Sequence, residues 1–385
     1  IFLIQMALFA AGVATIIQTV GYKDVGSRLP IIQGTSFAFI PIMLPFKAFG
    51  LGAIFTAAFI GGIFQIFIGK MLKPIRHMFP PLVTGIVVLM IGISLLKVGF
   101  KYAGGGVWLM NNKPEIFANW HHLTIAGTVL IVALITNLKG KGMASAASIL
   151  IGIIAGFVVA AMLGEVRWDK IAAAGWFAFP MPLQYGIDFV WGAVILMLFM
   201  SIVTTIETIG DISATTMGGA NREATDKELS GGIMADGVGT AFASIFNAMP
   251  NTSYSQNAGL VAFTGVISRH VGTVAGVILI LLGLFPKLGG IIAAMPDSVI
   301  GGAAIIMFGL IAGAGIKLIS KSEMSQRNIL ILALSLSFGI GLYAFPEFVA
   351  HVPDLGIKLG LLLTTGLIPA GLLAFILNAT LPQKK

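Results

Sequence analysis

Ile206-Glu207-Thr208-Ile209-Gly210-Asp211 and Pro250-Asn251-Thr252-Ser253-Tyr254-Ser255-Gln256-Asn257-Ala258-Gly259 are two polar islands in a chain otherwise built of apolar runs. Each sets side chains that carry charge or hydrogen bonds where the surrounding pattern demands membrane depth. An ionisable group there is costly and therefore usually functional. The second island also breaks the helical pattern, with a proline and a Thr/Ser/Tyr run ahead of an apolar stretch that opens near Asn257.

The surroundings justify that reading. The 385 residues are 57% hydrophobic and only 10% charged, against about 25% charged in a soluble domain. The fold class expected is therefore an all-α polytopic membrane protein. Forty-nine glycines suit helices that pack closely in lipid. The absence of cysteine excludes disulfides, thiolate metal sites and cysteine nucleophiles. The five histidines show no metalloprotease spacing, and no glycine loop with its lysine cradles a nucleotide phosphate. No metal site and no cofactor are expected, and no ATP-driven pumping.

A crossing helix needs about 20 apolar residues, and thirteen stretches qualify: 1–20, 31–48, 52–69, 79–99, 122–138, 143–163, 187–209, 231–247, 251–266, 270–286, 297–316, 328–345 and 356–379. With this count, fifteen Lys and Arg fall on one side and eight on the other, so the first side is expected to be cytoplasmic. That side holds the C-terminus. The net charge of +8 thus reads as membrane orientation and not as affinity for nucleic acid. Trp108, Trp120, Trp168, Trp176 and Trp191 all fall on the opposite side, as interfacial indoles.

Three echoes run in the same order through both halves. Ala11-Gly12-Val13-Ala14-Thr15 matches Asp236-Gly237-Val238-Gly239-Thr240, and Thr35-Ser36-Phe37 matches Thr252-Ser253-Tyr254. Pro80, Gly85 and Met90-Ile91-Gly92 match Pro296, Gly301 and Met307-Phe308-Gly309. The repeat offset is seven spans, an odd number, so the halves are expected to be inverted, a common secondary-transporter plan. Fourteen spans are then expected, one of them ahead of residue 1.

Of the fifteen acidic residues, only Glu207, Asp211 and Asp236 remain within spans. Glu207 and Asp211 are one helical turn apart on one face. A polar helix end packed against water would also account for Asp211. Asp236 has two open roles, capping a neighbouring helix end or handling a proton. Ile31–Ser36 and Asn251–Ser255 read as short extended segments, each followed by helix, which would bring two half-helix N-termini to the midplane. Non-helical backbone at that depth persists only where it lines a cavity or is buried in protein. The Glu207 carboxylate and the Gln256 amide together match a planar heterocycle with alternating N–H and C=O groups. Phe37 is placed to stack on such a ring, and Glu207 is the natural point for coupling a proton.

At these residues the chain resembles the nucleobase–ascorbate transporter family, also called nucleobase:cation symporter family 2. The signature reads Gln256-Asn257-Ala258-Gly259, then Leu260 to Phe263, then Thr264. The pair Glu207 and Asp211, Ala235-Asp236-Gly237, and Gln33-Gly34-Thr35-Ser36-Phe37 match further family segments, and Gln at 256 is similar to the xanthine and uric acid branch. The resemblance implies that Glu207 and Gln256 hold a purine base, that Phe37 and the backbone around Ser255 line its pocket, and that Asp211, Asp236 and Asn257 support it. It implies proton-coupled uptake across the inner or plasma membrane by a homodimer. It also implies a core domain (1–78 and 187–287) sliding against a gate domain (79–186 and 288–385). The family's first helix has no counterpart in residues 1–385. Competing readings are a uracil or pyrimidine symporter, an anion transporter of the related fold, and a membrane enzyme using paired carboxylates. A carboxylate in the pocket repels anions, and no activated serine or metal pattern supports the enzyme. Sodium is the alternative coupling ion, with oxygens near Thr35 and Thr252.

Overall fold

A computed structural model describes residues 1–71, 80–351, 360 and 363–382. Lys73, Arg76, Lys358, Lys384 and Lys385, which enter the charge count, lie outside the described residues, as do His77 and the start of the 356–379 stretch. Helices dominate. In chain order, among the described residues, the two strands and the helices of nine residues or more are α1 (Phe2–Val20), the strand β1 (Gln33–Thr35), α2 (Leu51–Lys70), α3 (Pro81–Ala103), α4 (Trp120–Lys139), α5 (Ser148–Met162), α6 (Trp191–Ala220), α7 (Asp226–Ile245), the strand β2 (Asn251–Ser253), α8 (Ser255–Thr264), α9 (Arg269–Gly283), α10 (Pro286–Ala294), α11 (Asp297–Ile319), α12 (Gln326–Ala344) and α13 (Leu367–Thr380).

Among the described residues, α1, α2, α3, α4, α6, α11 and α12 are long and apolar enough to cross a membrane. The shorter α5 and α13 are also apolar, and α9 with α10 forms one pair bent by 79°. The expected stretch 270–286 is filled mostly by α9, and the bend falls at its end, where Pro286 at the start of α10 explains it, because proline cannot continue the preceding hydrogen-bond ladder. A second correction concerns 187–209. The helix there begins at Trp191 and runs to Ala220, so Glu207 and Asp211 lie well inside it. Gly210, Ser213, Thr215 and Thr216 read as a polar exit, yet in the helix the hydroxyls of Ser213 and Thr216 bond back to carbonyls one turn earlier, which satisfies them without leaving it.

The helix α7 is the most polar of the long elements, and its sequence is rich in Gly, Ala and Ser. It starts on a capping box: Thr225 accepts from the Glu228 N–H at 3.2 Å while Glu228 accepts from the Thr225 N–H at 2.8 Å. Lipid gives no hydrophobic drive for helix association, so close van der Waals packing through small residues must supply it. A Cβ on Gly237 would come 2.6 Å from the Gly62 carbonyl of α2, and one on Gly12 of α1 would come 2.5 Å from the Gly276 carbonyl of α9. The two contacts extend alike. Gly62 meets Ala241 as Gly276 meets Ile16, and Gly69 meets Met234 as Gly283 meets Phe9. Likewise α3 and α11, each capped by a proline (Pro80, Pro296), pack in opposite directions: Gly85 meets Ile319 as Gly301 meets Ala103, and Gly99 meets Ile305 as Gly315 meets Leu89.

A core of buried apolar side chains, including Phe39, Phe46, Met90, Leu95 and Met200, joins α2, α3 and α6 to the irregular helical turns after β1. A smaller cluster of Leu29, Ile31, Ile212, Leu229 and Ile233 closes the structure beside the polar residues described next.

Candidate functional site

Two interrupted stretches meet as an antiparallel ribbon, with Gln33 opposite Ser253, Gly34 opposite Thr252 and Thr35 opposite Asn251. The extended backbone expected at Ile31–Ser36 and Asn251–Ser255 is present in both, although Ser255 already opens α8. The pairing continues past each strand: the Ser36 N–H donates to the Pro250 carbonyl at 2.9 Å, and the Tyr254 N–H to the Ile32 carbonyl at 3.0 Å. One threonine holds each strand to a helix. Thr15 of α1 accepts from the Gln33 N–H at 2.9 Å, and Thr240 of α7 accepts from the Asn251 N–H at 3.1 Å. Gly34 lets the Tyr254 ring lie close here, because a Cβ would fall 2.2 Å from its hydroxyl and the ring would have to shift.

Asp236, fully buried on α7, ties this ribbon to the helices. It accepts from the Gln33 side-chain amide, from the Thr208 hydroxyl and, at 3.0 Å, from the Ser253 hydroxyl. Gln18 of α1 donates to Ser253 at 3.3 Å and accepts from the Ser27 N–H at 3.2 Å. One carboxylate thus joins β1, β2, α6 and α7, with α1 reached through Ser253. A buried carboxylate survives only with such partners.

Asp211 on α6 is buried beside Ser255, in the first turn of α8, and its Oδ2 has no hydrogen-bond partner among the described residues. Further along, Gly218 lies against Ala262 and Gly219 against Val261, so α6 and α8 run in the same direction. Glu207, one turn before Asp211, therefore lies one turn ahead of the N-terminus of α8. It is partly buried, and its carboxylate has no hydrogen-bond partner among the described residues. Gln256 is exposed and likewise free of side-chain bonds, whereas the Asn257 side chain is occupied, donating to the Pro30 carbonyl at 2.5 Å. Phe37 packs edge-on against Phe308 of α11, with ring centroids 5.7 Å apart. The site residues expected from sequence thus divide in two. Asp236 and Asn257 are held by structural bonds, and Glu207 and Gln256 keep their polar ends unused.

Thr15, Gln18, Gln33, Thr208, Thr240 and Ser253 complete the network without having been singled out as site residues. The available signal was polar side chains recurring inside apolar runs, Gln18 and Gln33 above all. Among the described residues no group of three His, Asp or Glu side chains could hold a metal. A cleft of about 480 Å³ lies elsewhere, between α3 and α4. None of its lining residues is a carboxylate or one of the expected site residues.

Comparison with known proteins bears on this geometry. The chain is 35% identical over 397 residues to the xanthine permease XanP of Escherichia coli, covering 100% of this chain and 85% of that one. To the uric acid permease PucJ of Bacillus subtilis it is 33% identical over 380 residues, 98% of this chain and 84% of that one. Both relatives are transporters and not enzymes. In fold it resembles the transmembrane domain of the cyanobacterial bicarbonate transporter BicA, with a TM-score of 0.56 at 16% identity over 98% of this chain and 95% of that one. The likeness to the nucleobase–ascorbate transporters, first drawn from Gln256 to Thr264 and the carboxylates, holds along the whole chain. The Xan_ur_permease model matches residues 2–348, and the chain belongs to that Permease family.

Proposed function

We propose that this protein takes up a purine base, xanthine or uric acid, across the cell membrane, coupled to a proton. The observation that carries the proposal is the pair of unengaged polar groups beside the ribbon, the Glu207 carboxylate and the Gln256 amide. Around them Asp236 and Asn257 use their hydrogen bonds to hold α6, α7, α8 and the ribbon in place. A purine offers adjacent N–H and C=O groups, which a carboxylate and an amide pair in the plane of the ring. The N–H groups at the start of α8, with Ser255 first, favour the partial negative charge of a carbonyl oxygen. Phe37 supplies an apolar wall. The names of XanP and PucJ point to the same substrates. Glu207 accepts the coupling proton, since among the described residues no cation pairs with it to hold its charge.

The larger plan follows. Thirteen spans of fourteen form two inverted repeats, with a core (1–78 and 187–287) and a gate (79–186 and 288–385). The matched contacts of Gly12 with Gly237, Gly85 with Gly301, and Thr15 with Thr240 support this reading. The core slides against the gate, the gate forms a homodimer interface, and the C-terminus faces the cytoplasm. The test is uptake of labelled xanthine, uric acid, uracil and bicarbonate by proteoliposomes, with and without an imposed proton gradient. Xanthine or uric acid accumulating only with the gradient is the expected result. Preferential uptake of uracil or bicarbonate, or accumulation that needs no gradient, contradicts the proposal.

A further inference from the structure

We propose that the cleft between α3, α4 and the connection joining them binds an anionic phospholipid. Its acyl chain would lie along α4 and its phosphate on Lys97 and Lys101. The cleft holds about 480 Å³, and apart from these lysines its walls are almost wholly apolar. Leu123, Ala126 and Leu130 line one side along α4, with Ile305 of α11 behind them. From Leu123 to Leu130 the helix rises about 10 Å, a length suited to a hydrocarbon chain and wasted on a small soluble anion.

The polar end is equally specific. Lys97 and Lys101 are one turn apart on α3, on one face. Neither has a carboxylate within ion-pair distance among the described residues. The Lys97 ammonium lies against the Tyr343 ring, 5.6 Å from its centroid, and Tyr343 is itself fixed by donating to the Ser94 carbonyl at 2.6 Å. Two uncompensated ammonium groups at the rim of an apolar groove fit an anionic headgroup better than a zwitterionic one. Trp108 and Trp120, each 65% exposed, stand on the two segments edging the mouth and set it at headgroup depth. Gly127 forms part of the groove, and a Cβ there would meet nothing within 4 Å. The space is therefore real at the position where a chain would pass, and it can be filled by substitution without a clash.

The experiment is native mass spectrometry of the intact protein in detergent with equal amounts of phosphatidylglycerol and phosphatidylcholine. The wild type is expected to retain phosphatidylglycerol preferentially. Lys97→Ala with Lys101→Ala should lower that preference roughly 25-fold, about fivefold per lysine, and Lys97→Arg with Lys101→Arg should keep it. Gly127→Leu should reduce retention of both lipids. The preference is a ratio within one sample, so partial loss of folded protein does not imitate the effect. Equal retention of the two lipids by the wild type overturns the proposal, and so does an unchanged ratio in the double alanine variant. Displacement of the lipid by water-soluble glycerol phosphate at the same concentration also overturns it, because the apolar groove would then contribute nothing.

Discussion

At Asp236 three side-chain donors converge on one carboxylate, and this convergence decides what the residue does. On the proposed function, a group so fully engaged holds the site together and leaves substrate contact to Glu207 and Gln256. Removing one donor leaves a buried acceptor short of a partner, at a cost of about 1–3 kcal/mol. Thr208→Val is therefore expected to lower the melting temperature in detergent while leaving the affinity for xanthine within a few-fold. Equal melting temperatures with a collapse in affinity would make Thr208 a substrate contact instead. A second carboxylate, Glu228, lies at the end of α7 away from the apolar spans. Hydrogen bonds from Arg222, at 2.5 and 2.9 Å, pull it down to about 2 from an ordinary 4.5. Because the folded value is depressed, the pair stabilises the fold above about pH 4.5 and the contribution disappears as the pH falls towards 2. Arg222 is exposed, so salt screens the effect. The melting-temperature gap between wild type and Arg222→Ala should be small, constant above pH 5, and should narrow steadily as the pH falls from 4.5 through 2. A gap at pH 2 as wide as that at pH 6 would rule out the charge as its cause.

The ribbon shows what an element needs in order to be irregular at membrane depth. Its backbone groups are satisfied by the partner strand and by Thr15 and Thr240, one from each half of the chain. Thr15→Val and Thr240→Val each orphan a buried N–H and should destabilise by similar amounts, about 1–3 kcal/mol. Unequal losses would argue against equivalent halves. Gly12→Leu and Gly237→Leu drive a side chain into backbone and should abolish folded protein, as read by size-exclusion chromatography, whereas Gly127→Leu should fold. The same elements show how much was legible beforehand. The apolar runs marked the long helices, and the proline and hydroxyl runs marked both strands. The extension of α6 to Ala220 was not legible, because Gly210 to Thr216 looks like an exit until its hydroxyls bond back to the helix. Nor was the hub at Asp236, whose partner Gln33 lies 203 residues away and becomes a neighbour only through the ribbon.

On the scale of the whole molecule, the proposed motion is that of a core against a gate. Phe199 of α6 meets Gly371 of α13 across that proposed boundary, where a Cβ on Gly371 would fall 2.8 Å from the ring. The chain contains no cysteine, so Phe199→Cys with Gly371→Cys makes one thiol pair, set apart by the length of the lost ring, that a short bis-methanethiosulfonate linker can bridge. Uptake should stop on cross-linking and return with reductant. Uptake unaffected by a cross-link shown to have formed would mean that the two bodies do not slide at this place. The free carboxylate of Glu207 carries most of the proposed function, and binding of labelled xanthine to wild type and to Glu207→Gln, with folding checked by melting temperature, tests it most directly. Loss of a hydrogen bond to a charged group predicts roughly 10- to 100-fold weaker binding at an unchanged melting temperature. Equal affinity in the two proteins would contradict the assignment of Glu207 to the substrate.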